Sequence, residues 1–181
     1  MPTRFLWAAL LMAASILTSG PAAADDAADI EKLFRAGQVD QALRLADAAI
    51  ADKPRHAQVR FLKGVMLTEL KRNEEATQIF IALTEDFPEL PDPYNNLAVL
   101  YAANGQLQSA LVALQTALRN DPTHRAAREN LGDVHLALAQ EAWVAAQAQS
   151  KGEDAELRRK LRLAREIQLA PLPAAAQRAP G

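Results

Sequence analysis

The chain has 181 residues, half of them hydrophobic, with 5% aromatic and 23% charged. That length holds one domain or one short repeat array, and the apolar share is too high for a chain disordered throughout. A net charge of −2 gives no basic surplus that would argue for nucleic acid, and the absence of cysteine excludes disulfides, thiolate zinc sites, cysteine nucleophiles and a lipid on an N-terminal Cys.

Residues 1–24 read as a signal peptide. Arg4 supplies a positive start, an apolar stretch covers 5–17, Gly20-Pro21 breaks it, and Ala22-Ala23-Ala24 offers the small side chains a signal peptidase accepts. The apolar stretch is shorter than the ~20 residues that span a bilayer, and the Ala-x-Ala ending speaks against an uncleaved anchor or a buried helix. Cleavage is expected after Ala24, and loss of Arg4 from 20 basic against 22 acidic residues leaves a net charge of −3. No later apolar run approaches spanning length, so stable membrane insertion is not expected after cleavage. The expected location is periplasmic or secreted.

Beyond residue 24 the chain repeats itself. Pro54, Pro88 and Pro122 are 34 residues apart, as are Ala42, Ala76 and Ala110, and Gly64, Ala98 and Gly132; Asn96 and Asn130 keep the same spacing. A fixed period in small and helix-breaking residues is the mark of a repeat architecture. In residues 91–124, Tyr94, Leu97, Ala98 and Tyr101 form one stripe of a first helix, and Asn104-Gly105 ends it. Leu107, Ala110, Leu111, Leu114, Ala117 and Leu118 form a second amphipathic helix, which Asp121-Pro122 closes. Small residues at 98 and 110 let the two backbones approach closely. Such a pair cannot bury its apolar faces alone.

The unit resembles the tetratricopeptide repeat, with Tyr94, Leu97, Ala98, Tyr101, Ala110, Leu114 and Pro122 on the pattern W-x2-L-G-x2-Y, A-x3-F, P. Residues 57–90 match through Gly64, Leu67, Ala76, Phe80 and Pro88, but carry Arg60 and Lys63 where Trp and Leu are usual, with Phe61 and Leu62 beside them as substitutes for that packing. Residues 25–56 keep Leu33, Gly37, Ala42 and Ala46, with a first helix starting near Asp25. The resemblance implies an all-α, tetratricopeptide-like α-solenoid of three to four helix-turn-helix repeats with a C-terminal capping helix. It also implies a scaffold that binds other proteins.

The fourth copy, residues 125–149, is degenerate. Leu131, Gly132 and His135 fall on first-helix positions, with His135 at an aromatic packing position, but the glycine turn is missing. Either one helix runs from about His124 to Gln149, or a tight turn lies near Ala139. Residues 150–169 predict a capping helix, with Ser150 as N-cap, Glu153 closing a capping box, and Leu157, Leu161 and Ala164 on its apolar face. The tail 170–181 is expected to be disordered. The run Arg158, Arg159, Lys160 reads as a solvated face.

The sequence carries no recognisable catalytic pattern. His56 and His124 sit in turns two residues after prolines; no two histidines stand at i, i+4, and there is no G-x-S-x-G, P-loop or G-x-G-x-x-G. The expectation is no enzyme, no cofactor and no metal. What remains is a groove. By the resemblance, first helices line a concave face and present Phe61, Val65, Asn95, Asn96, Val99, Glu129, Asn130 and Asp133. Asn96 and Asn130 should project similarly and pair with an extended peptide backbone, or else stabilise helix starts and repeat contacts; Leu62 interrupts the ladder one repeat earlier. The mixed apolar and acidic surface disfavours an acidic ligand. The expected partner is a protein or peptide, not nucleic acid, bound by an exported adaptor in an envelope assembly or maintenance process. The alternative is a structural or self-associating module using its convex face or C-terminal helices, with Trp143 as an anchor or as core packing against the last helix.

Overall fold

A computed structural model describes residues 22–150, 152 and 154–169, which form eight helices with no strand among the described residues. The expected leader over 1–24, apart from its last three residues, and the expected disordered tail over 170–181 lie outside the described residues. The helices are α1 (Ala22–Arg35), α2 (Val39–Asp52), α3 (Ala57–Glu69), α4 (Asn73–Asp86), α5 (Pro91–Ala103), α6 (Leu107–Asn120), α7 (Arg125–Gln149) and α8 (Ala155–Leu169). Helices α1/α2, α3/α4 and α5/α6 are three antiparallel pairs one period apart, and α1 starts three residues ahead of the expected Asp25. The first helices α1, α3, α5 and α7 make one layer, and α2, α4 and α6 the other.

The same two backbone bonds close the turn inside each pair. Gly37 N–H donates to Phe34 O and Gln38 N–H to Leu33 O; Lys71 and Arg72 do the same to Thr68 and Leu67, and Gly105 and Gln106 to Ala102 and Tyr101. This is the Schellman arrangement, which needs a left-handed residue just past the helix end. Gly37 and Gly105 take it at φ of 76° and 73°, whereas Lys71 takes it at 61° with a β-carbon to accommodate. Ala139 occupies the equivalent place in the fourth copy, and there no turn forms. Alanine resists the left-handed state and favours the helix, so α7 runs on for 25 residues.

The core shows why single pairs do not suffice. Buried Ala42, Ala46 and Ala49 of the first pair cluster with Val59 and Met66 of α3. Ala76, Phe80 and Leu83 of the second cluster with Leu97 and Leu100 of α5. Ala110, Ala113, Leu114 and Ala117 of the third cluster with Ala127 and Val134 of α7. Each pair completes its core with the first helix of the next unit.

Within a pair the crossing is tight. A β-carbon at Gly64 would lie 2.7 Å from Phe80 Cζ, and that ring is itself fully buried. Ala98 fills the same position of the next unit and is buried. At Gly132 nothing lies within 4 Å of such an atom, because the fourth copy has no returning second helix. His135 departs from expectation for the same reason: it is exposed, and Val134 takes the buried place. Trp143 is half-buried.

Helix α8 starts at Ala155, later than an N-cap at Ser150 would place it, and its cap is a different residue. Asp154 Oδ1 accepts from the N–H groups of Glu156 at 2.9 Å and Leu157 at 3.1 Å, while Ser150 bonds within the connecting loop. Its Ala164 is buried and Leu157 and Leu161 half-buried against α7, with Arg158, Arg159, Arg162 and Arg165 exposed.

Equivalent glycines should therefore respond with opposite signs. Gly64→Ala is expected to destabilise by about 1–3 kcal/mol through overpacking against Phe80, whereas Gly132→Ala should stabilise by roughly 0.5–1 kcal/mol from helix propensity alone. Lys71→Gly should stabilise by about 1 kcal/mol by relieving the left-handed backbone. Urea unfolding followed by circular dichroism measures all three.

Candidate functional site

The junctions between units are built from the residues that follow each proline. Backbone N–H groups of His56, Leu90 and His124 donate to the carbonyls of Lys53, Phe87 and Asp121, giving one turn three times. His56 and His124 then act as N-caps. His124 Nδ1 accepts from Ala127 N–H at 3.1 Å and His56 Nδ1 from Val59 N–H at 3.4 Å, satisfying helix-end donors in the way Ser or Asp usually does. In His124 the neutral ring therefore carries its proton on Nε2, which donates to Asp92 Oδ1 at 3.1 Å and ties α5 to α7. Sequence reading placed these histidines in turns but missed the caps; their place immediately before a helix was the available signal. At the same junction Asp121 Oδ1 accepts from the Thr123 hydroxyl at 2.7 Å and from its N–H at 2.8 Å. The hydroxyl bond first, and the backbone bond second, hold its carboxyl below the ordinary value.

Basic residues at normally apolar positions of the second unit find partners, Arg60 on the unit's own α4 and Lys63 on α2 of the first unit. Arg60, whose side chain is 12% exposed, donates to Asp86 at 2.5 Å, and Lys63 donates to Asp47 at 2.5 Å. Phe61 meets Phe80 edge to face, with ring centroids 5.7 Å apart. The chain thus replaces the usual Trp and Leu with two ion pairs and one aromatic contact.

The groove residues of the sequence reading separate into distinct surroundings. Val99, Asn130 and Asp133 come together, lining an open cavity of about 170 Å³ floored by Ala98, Leu114 and Val134 between α5 and α7. Val99 is 44% exposed. Asn95 and Asn130 meet directly, Asn130 Nδ2 donating to Asn95 Oδ1 at 2.9 Å. Asn96 turns back on its own helix, donating to Asp92 O at 2.9 Å. The two asparagines of one register thus make different bonds: the neighbouring Asn95 captures Asn130, and α5's own backbone captures Asn96. Glu129 pairs with Arg125 at 2.9 Å along α7. Phe61 packs against the second unit's core, and Val65 lines a separate cavity of about 530 Å³ with Glu31, Phe34, Arg35, Leu62, Met66 and Glu69, between α1 and α3.

Among the described residues no group of three His, Asp or Glu is placed to hold a metal ion, and no described helix is long and apolar enough to cross a membrane. The inner layer offers exposed apolar side chains, amides and carboxylates, which is a chemistry of recognition.

Two measurements check this geometry. A double-mutant cycle on Asn95→Ala and Asn130→Ala should give a coupling of about 0.5–1.5 kcal/mol in unfolding. Because Asp121 titrates lower folded than unfolded, its stabilising contribution is present above the unfolded value and lost as pH falls through the folded one. An NMR titration should therefore show Thr123→Val raising the Asp121 midpoint towards an ordinary aspartate.

Family models described as tetratricopeptide repeat match residues 30–91 and 91–124, together just over half of the chain. No curated protein sequence matches at a significant level. Similar solved structures include the first TPR of Spaghetti (RPAP3) bound to the HSP90 peptide SRMEEVD, at 18% identity and TM-score 0.60, covering 65% of this chain and 93% of that one. The Sgt2 TPR domain from Aspergillus fumigatus aligns at 12% identity and TM-score 0.64, covering 75% and 89%. MamA 41-end from Desulfovibrio magneticus RS-1 aligns at 20% identity and TM-score 0.57, covering 82% and 78%. At these identities the likeness speaks to the fold, which agrees with the helix pairs, the turns and the 34-residue period. The chain belongs to the tetratricopeptide repeat family.

Proposed function

We propose that the protein is an exported interaction scaffold whose inner layer binds an extended segment of a partner protein. The observation that carries this is the surface around Val99: an exposed valine, the Asn95–Asn130 pair and Asp133 gathered at one open cavity between α5 and α7. An apolar contact flanked by an amide pair and a carboxylate suits a peptide that brings both side-chain and backbone groups. The RPAP3 domain holding an HSP90 peptide supports the use of such a fold for peptide capture. That peptide is acidic, whereas this inner layer carries Glu69, Glu129 and Asp133, so the segment bound here has apolar and basic character. Export rests on residues 1–24, with Arg4, the apolar stretch and the alanine ending. With periplasmic or secreted location, assembly or maintenance of an envelope complex is the process this scaffold serves.

Crosslinking in intact cells followed by partner identification tests the reading. Val99→Lys with Asp133→Lys should abolish capture while leaving thermal unfolding nearly unchanged, since both residues are exposed. Undiminished capture by that variant would falsify the groove.

A second reading, self-association or fixed packing through the C-terminal helices, is favoured by one observation: Val144, Leu163 and Ile167 are exposed on α7 and α8. Sedimentation at rising concentration decides it, and a strictly monomeric protein removes self-association.

A further inference from the structure

The cavity between α1 and α3, about 530 Å³, is unlike the rest of the inner layer. Met66 is fully buried and forms its floor, half-buried Phe34, Leu62 and Val65 form its walls, and exposed Glu31, Arg35 and Glu69 stand at the rim. Its volume falls in the range of cavities that enclose a ligand group, about 300–1,000 Å³. Leu62 holds the repeat position that Asn96 and Asn130 hold in the next two units. At this end of the array a polar position has become an apolar wall.

The rim states which neighbour the cavity favours. Arg35 Nη2 lies 2.5 Å from Glu31 Oε1, so the one cation is already neutralised. Glu69 is exposed and forms no ion pair among the described residues, leaving the rim with one uncompensated negative charge. A bound segment gains by filling the apolar walls and by placing a cation near Glu69; a carboxylate there would face repulsion.

We infer that the α1–α3 cavity is an anchor subsite for one bulky apolar side chain, of the Leu, Met or Phe class, adjacent in the bound segment to a Lys or Arg that faces Glu69. This deepens the reading of the inner layer as a peptide groove and rests on it. The anchor and the Val99 surface lie two first-helix steps apart, roughly 20 Å at 8–10 Å per packed helix. An extended segment covers that span in about six residues.

The test is panning of short random peptides on the purified chain, then fluorescence polarisation with the enriched sequence as a synthetic, labelled peptide. Enrichment of an apolar residue beside Lys or Arg is expected. Leu62→Asn, which installs the residue of the next two repeats, should weaken binding about tenfold or more through lost apolar burial. Glu69→Lys should weaken it about fivefold, with the difference shrinking in high salt. By circular dichroism, Glu69→Lys should melt like the parent, since Glu69 is exposed, and Leu62→Asn, half-buried against the first unit's core, should melt slightly lower yet stay folded at assay temperature. Acidic consensus peptides, or affinity unchanged in both variants, would overturn the anchor. If Val99→Lys with Asp133→Lys still abolishes that binding, the groove stands without its anchor. If none of these substitutions matters, or no peptide is enriched, groove and anchor fall together.

Discussion

The architecture depends on how closely the two helices of a unit can cross. At the second unit that distance is set by Gly64 lying under the Phe80 ring, with no room for a methyl group. Ala98 is buried at the same position of the third unit, while the first unit buries the larger Ile30 there. Close crossing leaves a thin layer between the helices, filled largely by alanine, and too little apolar area to hold a pair alone. Each unit then borrows from the next, as Val59 and Met66, Leu97 and Leu100, and Ala127 and Val134 show. Composition follows from this constraint: many alanines, few aromatics and no need of a crosslink.

Polar groups set the register between units and contribute less to its strength. The exposed ion pairs, such as Arg125–Glu129, are each worth about 0–1 kcal/mol. The junction contacts are more specific. His124 caps α7 with one ring nitrogen and reaches Asp92 of α5 with the other, and Asn120 donates to Pro88 O at 2.8 Å from the preceding junction. Lys63 ties the second unit to Asp47 of the first, and Arg60 ties α3 to Asp86 of α4, both standing where apolar residues are usual. The inner face inherits its geometry from these ties, because they set how one first helix stands against the next.

Much of the fold was legible in the sequence because its determinants are local. A proline restricts the residue before it, a glycine permits a left-handed turn, and a small residue permits a close crossing; each acts in the same way in every copy. The single long α7 was one of two readings, and the absence of a left-handed residue at Ala139 decided between them. The candidate site was less legible, since hydrogen bonds depend on neighbours that spacing does not reveal. Asn96 and Asn130 share a register, yet the presence of Asn95 sends one across to α5 and leaves the other on its own helix. Leu62 read as a gap in a ladder, and only the packing of Phe34 and Met66 around it shows a cavity. His135 read as a packed aromatic position, which holds only where a second helix returns to cover it.

The uninterrupted α7 has a consequence for how such a chain can change length. The three earlier units are interchangeable in kind: each ends in the same turn, and each presents a first helix that the preceding pair can accept. A duplicated unit inserted among them would meet the surfaces it requires on both sides. After His124 that equivalence ends, because α7, about 37 Å long at 1.5 Å per residue, offers α8 instead of a returning partner. The array is thus directional. It can gain or lose layers ahead of α7, whereas the layer made by α7 and α8 lacks the turn and returning helix that the earlier units share.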